Sequence, residues 1–405
     1  MRAIRARHAY DGESFLGAGA TVLVQDGTIS GVEPCDFQVP DGCPVTDYDA
    51  GTLLPGLIDA HTHLVADSGF GALDRVPGYS AAEIDEVISR ALRDQLRAGV
   101  TTVRDLGDRQ FCVLERRDRQ SSGPLTEPAI VASGPPLTSK DGHCHYLGGE
   151  VSGTAEIIAA VAERAERGAD IIKVMASGGV NTPGSDVMLT QFSTAELQLI
   201  VDRGHAAGLA VTAHAHGTPA VEQAIAAGVD GIEHCSCVTG RGFGDVSDET
   251  VAALARSGIA VCPTIGVDQA LIKNRTPPPH LKATLDRLGL TAEQMLQDRW
   301  DFVSRLHQAG VRLVSGVDSG IAPPKRHGTL PYAVGELVTA GLTVAEALAT
   351  ATAVAAQACG VGGRKGRRAA GHDADLLVVD GDLETDVAAL HRPRSVLLGG
   401  EPVSQ

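Results

Sequence analysis

Six times along the middle of this chain an amphipathic helical pattern stops at a glycine and a short apolar run begins at once. The stops are Gly99, Gly168, Gly208, Gly228, Gly258 and Gly310. Glycine in that place serves as a helix C-cap ahead of the next strand. Strands are expected at about 57–61, 101–106, 129–133, 170–175, 209–214, 229–234, 259–263 and 311–317, with helices most legible over 80–98, 154–167, 194–207, 218–227, 247–257, 292–309 and 343–359. Ser193 or Thr194 ahead of Glu196, and Ser247 or Asp248 ahead of Val251, supply cap signals. Strand and helix alternating at this period predict a parallel α/β barrel.

The two ends of the chain read differently. The run Ala20-Thr21-Val22-Leu23-Val24-Gln25 leads into Asp26-Gly27, a short hairpin signal, and strand patterns return at 374–379 and 395–398. The expected architecture is therefore a (β/α)8 TIM barrel over residues 55–362, with a small β-sandwich built from 1–54 and 363–405. At 405 residues the length suits one barrel plus an appendage. The stretch 266–290, with Pro277-Pro278-Pro279, breaks the rhythm after the seventh strand, at the rim where barrel sites lie. It reads equally as a lid or as a structural insertion.

Several apolar runs end in a residue able to bind a metal. Gly56-Leu57-Ile58-Asp59-Ala60-His61-Thr62-His63 ends in two imidazoles one residue apart, which share a face in a strand and can reach one cation. Later runs end in Lys173, His214, His234 and Asp318. Catalytic residues of a βα barrel sit at the C-terminal ends of its strands.

With those residues in order, the chain resembles the amidohydrolase superfamily over nearly its whole length. The neighbourhoods Asp170-Ile171-Ile172-Lys173-Val174-Met175-Ala176-Ser177-Gly178-Gly179 and Ala213-His214-Ala215-His216-Gly217 resemble the branch that contains prolidase-like dipeptidases and imidazolonepropionase-like proteins. The resemblance implies two divalent cations, with zinc the first expectation. His61 and His63 would hold the more buried ion, and His214 and His234 the more exposed one. Lys173 would be an N6-carboxylated bridge, and Asp318 a ligand that also moves the proton. Such a pair of ions lowers the pKa of water and polarises a carbonyl. Manganese, iron and cobalt also suit His and carboxylate ligands.

The resemblance places a substrate-binding or carbonyl-polarising histidine after the third strand, where His143 stands and His145 is the alternative. His216 is both a rival of His214 and a candidate substrate contact. Arg104-Asp105 and Lys325-Arg326-His327 lie at the same rim, where a cation could pair with a substrate carboxylate.

Composition narrows the partners. A formal charge of −16 argues against nucleic acid and anionic membrane surfaces. No apolar stretch approaches the roughly 20 residues needed to span a bilayer. Arg2, Arg5 and Arg7 are followed by no signal-peptide core, so a cytoplasmic enzyme is expected. Eight cysteines then read as reduced thiols, and neither Cys235-Ser236-Cys237 nor His143-Cys144-His145 has zinc-finger spacing. The expected activity is hydrolysis of a peptide-like amide in a small molecule, by a prolidase-like dipeptidase or N-acyl amino acid hydrolase. The alternatives are a cyclic-amide (imidazolone) hydrolase and a catalytically silent scaffold. Related enzymes often form homo-oligomers, a state one sequence does not set.

Overall fold

The computed structural model describes residues 1–403 apart from 121, 122, 124, 181 and 274–276. Seven of the eight expected barrel strands form as regular parallel strands. Leu57–Thr62, Val100–Asp105 and Ala129–Ala132 make a three-stranded sheet, and Ile171–Met175, Ala210–Gly217, Gly231–Val238 and Ala260–Cys262 a four-stranded one. These strands are buried almost end to end, as parallel strands covered on both faces must be.

The two sheets are joined by single contacts. On one side Leu137 bridges Val174, and the Asp170 amide donates to the Ala132 carbonyl. On the other, the segment 311–319 runs between Ala260–Cys262 and Leu57–Thr62, bridging Val261 through Leu313 and Thr62 through Ser319. This expected eighth strand forms no regular ladder. Gly316 lies so close to the first strand that a Cβ there would stand 2.6 Å from the His61 amide nitrogen. Asp318 then turns into the left-handed region, at φ 62°. The result is a TIM-barrel-like α/β fold.

The helices follow their signals. All six glycine stops have positive φ, between 70° and 83°. Ser193 caps Thr194–Ala206 in a reciprocal box with Glu196, and Ser247 caps Asp248–Ser257. The expected helix over 343–359 is instead two, Val344–Thr350 and Ala353–Ala358. The Ala351 carbonyl is taken by the amide of Ile58 in the first barrel strand, and the Thr352 hydroxyl donates to the Gly12 and Leu348 carbonyls. Tertiary partners thus replace the helical ladder there. Cys112–Gln120 and Leu330–Thr339 are further helices that the patterning does not single out.

Both chain ends enter one eight-stranded sheet. Its order is Glu401–Pro402, Pro393–Leu398, Leu376–Asp380, Val45–Pro55, Arg2–Tyr10, Ala20–Gln25 and Thr28–Glu33, with Phe15–Leu16 also on Arg2–Tyr10. The hairpin forms where Asp26 and Gly27 both take positive φ, so that Gln25 faces Thr28. The pairing from end to end of this sheet is one continuous ladder. Ile4, Val22, Leu53, Leu376 and Val378 form a core on one face, and the alternating Leu54, Leu377 and Val379 join the main core. All eight cysteines are free thiols, as expected. Among the described residues no helix is long and apolar enough to cross a membrane.

Ser193→Ala removes one N-cap acceptor and is expected to lower stability by about 1 kcal/mol, against a few tenths for Ser193→Gly. Urea midpoints of the two variants at an unchanged m-value check this.

Candidate active site

The strand ends converge on one pocket of about 270 Å³, into which His61, His63, His143, Lys173, His214, His216, His234 and Asp318 all project. Three ligand-like groupings overlap there. Donor atoms of His61, His234 and Asp318 lie within 4.8 Å of one another, as do those of His214, His216 and His234, and those of His61, Glu233 and Cys262. His63 joins through its Nε2, 3.2 Å from Asp318 Oδ1.

Neighbours fix how the rings face. His61 Nδ1 donates to Glu233 Oε2 at 2.8 Å, and His63 Nδ1 to the Gly107 carbonyl at 3.2 Å. A carboxylate and a carbonyl can only accept, so both rings carry a proton on Nδ1 and turn Nε2 toward the centre. His234 Nδ1 is 2.8 Å from the Thr264 hydroxyl, and His216 Nδ1 is 2.9 Å from that of Ser236. The His216 and His234 rings stack at 4.4 Å. His143 is held by Thr182, with its ring 4.6 Å from that of His214.

Charge states suit a cation. Burial pushes His61 down to about 4 and His143 and His216 to about 3, and keeps His214 and His234 well below the ordinary imidazole value. Burial opposes ionisation of Asp318, but His61, His63 and Lys325 more than offset it and hold the carboxyl below its usual range. Lys173 is 1% exposed, its pKa lowered by burial, and its Nζ has no hydrogen-bond partner. Burial opposes protonation of His63, but Asp318 and Asp105 more than offset it and raise that ring above the ordinary imidazole value. Five neutral imidazoles, an ionised carboxylate and an orphaned buried nitrogen form a donor set that fits a divalent metal centre.

Glu233 and His234 are adjacent in a strand, where side chains should alternate, yet both face inward. His234 has φ 70° and Cys235 φ 45°, which turns the strand end over. Glu233 is the partner that strand alternation hides. It receives His61, Thr212 at 2.7 Å and Arg104 at 3.0 Å. Arg104 is 3% exposed and also donates to the Ala60 and Ala358 carbonyls, so it is a buried support and not a rim cation for substrate.

His145 is outside the pocket walls. It sits on the turn His145–Leu147, grouped with Asp141 and Glu150, because Cys144 takes a left-handed conformation between it and His143. Of the second rim candidate, Arg326 pairs with Asp268 and His327 is buried against the Ala66 carbonyl, while Lys325 faces the pocket. The stretch after the seventh strand supplies Val267, Leu271 and Leu281 to one wall, and the helix Ala292–Gln308 adds Met295 and Arg299. Part of the expected lid, 274–276, lies outside the described residues.

Residues 52–403 match the model of the amidohydrolase family. An uncharacterized protein of Mycobacterium tuberculosis is 29% identical over 362 residues, covering 88% of this chain and 86% of its own. Ochratoxinase of Aspergillus niger is 27% identical over 376 residues, covering 85% and 73%. The crystal structure of a Xaa-Pro dipeptidase with methionine bound in its active site superposes with a TM-score of 0.86 at 25% identity, over the whole of both chains.

A Cβ on Gly179 would stand 2.4 Å from His143 Nε2. Gly179→Ala is therefore expected to displace that ring and cut kcat/KM by roughly a hundredfold, the scale of a misplaced catalytic group. Metal content and melting temperature, measured alongside, should change little.

Proposed function

From the premise that the chain belongs to the amidohydrolase family, we propose that it hydrolyses the amide bond of a dipeptide or N-acyl amino acid at a two-metal centre. The observation that carries this reading is the convergence of His61, His63, Lys173, His214, His234 and Asp318 on one pocket. The similarity to a Xaa-Pro dipeptidase and to ochratoxinase supports an amide as the scissile group. The same reading takes 311–319 as the eighth stave of a closed barrel spanning 55–362, flanked by a β-sandwich of 1–54 and 363–405.

His61, His63 and Asp318 would hold one ion, zinc first among the candidates, and His214 and His234 the other. His216 stands against the second as ligand or substrate contact. Lys173 Nζ, which has no acceptor, would add to carbon dioxide with loss of one amine proton, and the N6-carboxylate so formed would be an anionic ligand for the metal centre. When bound, the metal centre lowers the pKa of water and polarises the scissile carbonyl. The Asp318 carboxylate, held ionised, takes the proton of the attacking water and returns it to the leaving amine nitrogen. His143, fixed by Thr182 through Nδ1, presents Nε2 to the substrate carbonyl. Thr264, Glu233 and Gly107 keep the other rings from turning.

The zinc- and bicarbonate-reconstituted protein, given a mixed library of dipeptides and N-acyl amino acids, is expected to release a restricted set of C-terminal amino acids by mass spectrometry. No release with metals bound would overturn the reading in favour of cyclic amides. Asp318→Asn is expected to lower kcat by at least about a hundredfold, within the contribution of general acid–base catalysis, with an unaltered circular dichroism spectrum. Lys173→Met should reduce bound metal below one equivalent by elemental analysis, and unchanged stoichiometry would remove the lysine from the ligand set.

A further inference from the structure

Two cations stand on the pocket wall beside His234, within the field of Asp318 and Glu336 but in direct contact with neither carboxylate. Arg299 Nη2 donates to the Pro263 carbonyl at 2.6 Å and the Thr264 carbonyl at 3.2 Å. Lys325 Nζ donates to the same Thr264 carbonyl at 2.7 Å and to that of Val317 at 2.9 Å. One oxygen thus gathers a guanidinium and an ammonium, and the hydroxyl of the same threonine holds His234. Among the described residues no carboxylate forms an ion pair with either cation. Glu336, the nearby acid, is occupied by the Gly266 and Val267 amides and the Trp300 indole. Like charges drawn together in a partly desolvated wall favour an anion between them, and a carboxylate matches both donors.

Away from the strand ends and their histidines the walls of the pocket are largely apolar, with Phe70, Leu73, Val187, Phe243, Leu271 and Met295 among them. Asp318 is the only acidic residue that lines it among those described. A free α-ammonium on the acyl half of a substrate would lose its hydration there and find no counter-ion apart from the carboxylate committed to the centre.

We propose that Arg299 and Lys325 anchor the free carboxylate of the substrate's amine-side residue, and that the acyl half is uncharged and apolar, which makes the substrate an N-acyl amino acid in preference to a dipeptide. This rests on the amide-hydrolase reading but is tested by binding alone.

The probes are three sulfonamides, which place a tetrahedral sulfonyl where the scissile carbonyl would stand and resist hydrolysis. They are propane-1-sulfonyl-leucine, its C-terminal carboxamide, and 2-aminoethanesulfonyl-leucine, in which an ammonium replaces the terminal methyl. Calorimetry with the zinc-loaded protein is expected to show the first binding at least tenfold more tightly than either of the others. Arg299→Met and Lys325→Met should each reduce the preference for acid over carboxamide without weakening the carboxamide, and Arg299→Lys should restore part of it. Equal affinity for acid and carboxamide, a preference that survives in the double variant, or equal loss of both ligands would overturn the anchor. Equal affinity for the ammonium analogue would overturn the apolar acyl half. A preference that depends on Arg299 and Lys325, in a protein that cleaves no amide, would leave the anchor standing and remove the hydrolase reading instead.

Discussion

The buried chain of charge from Arg104 through Glu233 to His61 underlies the arrangement of the site. Arg104 is tied to the Ala60 and Ala358 carbonyls, and its guanidinium meets one oxygen of Glu233 while His61 meets the other. An ion pair this deep repays its desolvation only when every remaining donor and acceptor is satisfied. Here every polar side-chain atom of Arg104 and Glu233 has a partner, with Thr212 sharing Glu233 Oε1 with the guanidinium. Removing one partner would leave an uncompensated charge in the floor of the barrel, a loss on the order of 3–5 kcal/mol. The same contact sets the tautomer of His61, so packing and the orientation of a proposed ligand draw on one carboxylate.

Above that floor the site depends on backbone turned against its usual preference. His234 and Asp318 both have positive φ without being glycine, at the ends of two segments that flank the strand Ala260–Cys262. The first turn brings consecutive residues Glu233 and His234 to the same side. The second lets the Asp318 amide reach the His61 carbonyl at 2.9 Å while its carboxylate meets the His63 ring. Such conformations persist only where the surroundings over-determine them.

Much of this was legible in the chain because glycine stops and apolar runs obey local rules. Seven strands and the six proposed ligands lie where the patterning puts them, since a strand end is a fixed address once the fold class is known. What escaped depends on contacts distant in sequence. The helix over 343–359 splits because Ile58 claims the Ala351 carbonyl, and the eighth segment is irregular because Gly316 presses against His61. His145 leaves the pocket on a left-handed Cys144 that no composition rule marks. Arg104 looked like a rim cation because an arginine at a strand end has no local signature of burial, and Arg299 sits in a helix whose docking no periodicity announces.

The sheet built from both chain ends carries a kinetic implication. Val45–Pro55, which runs on into the strand bearing His61 and His63, pairs on one side with Arg2–Tyr10 and on the other with Leu376–Asp380. The first pairing is local, and the second waits on residues more than three-quarters of the chain away. Until Leu376–Asp380 arrives, the strand leading to His61 and His63 has one row of backbone amides and carbonyls unpaired, an edge open to foreign strands. Closing so long a loop is slow. The cost of joining the ends therefore falls on folding time, and the interval before the seam closes is when the nascent ligand strand is most exposed to aggregation.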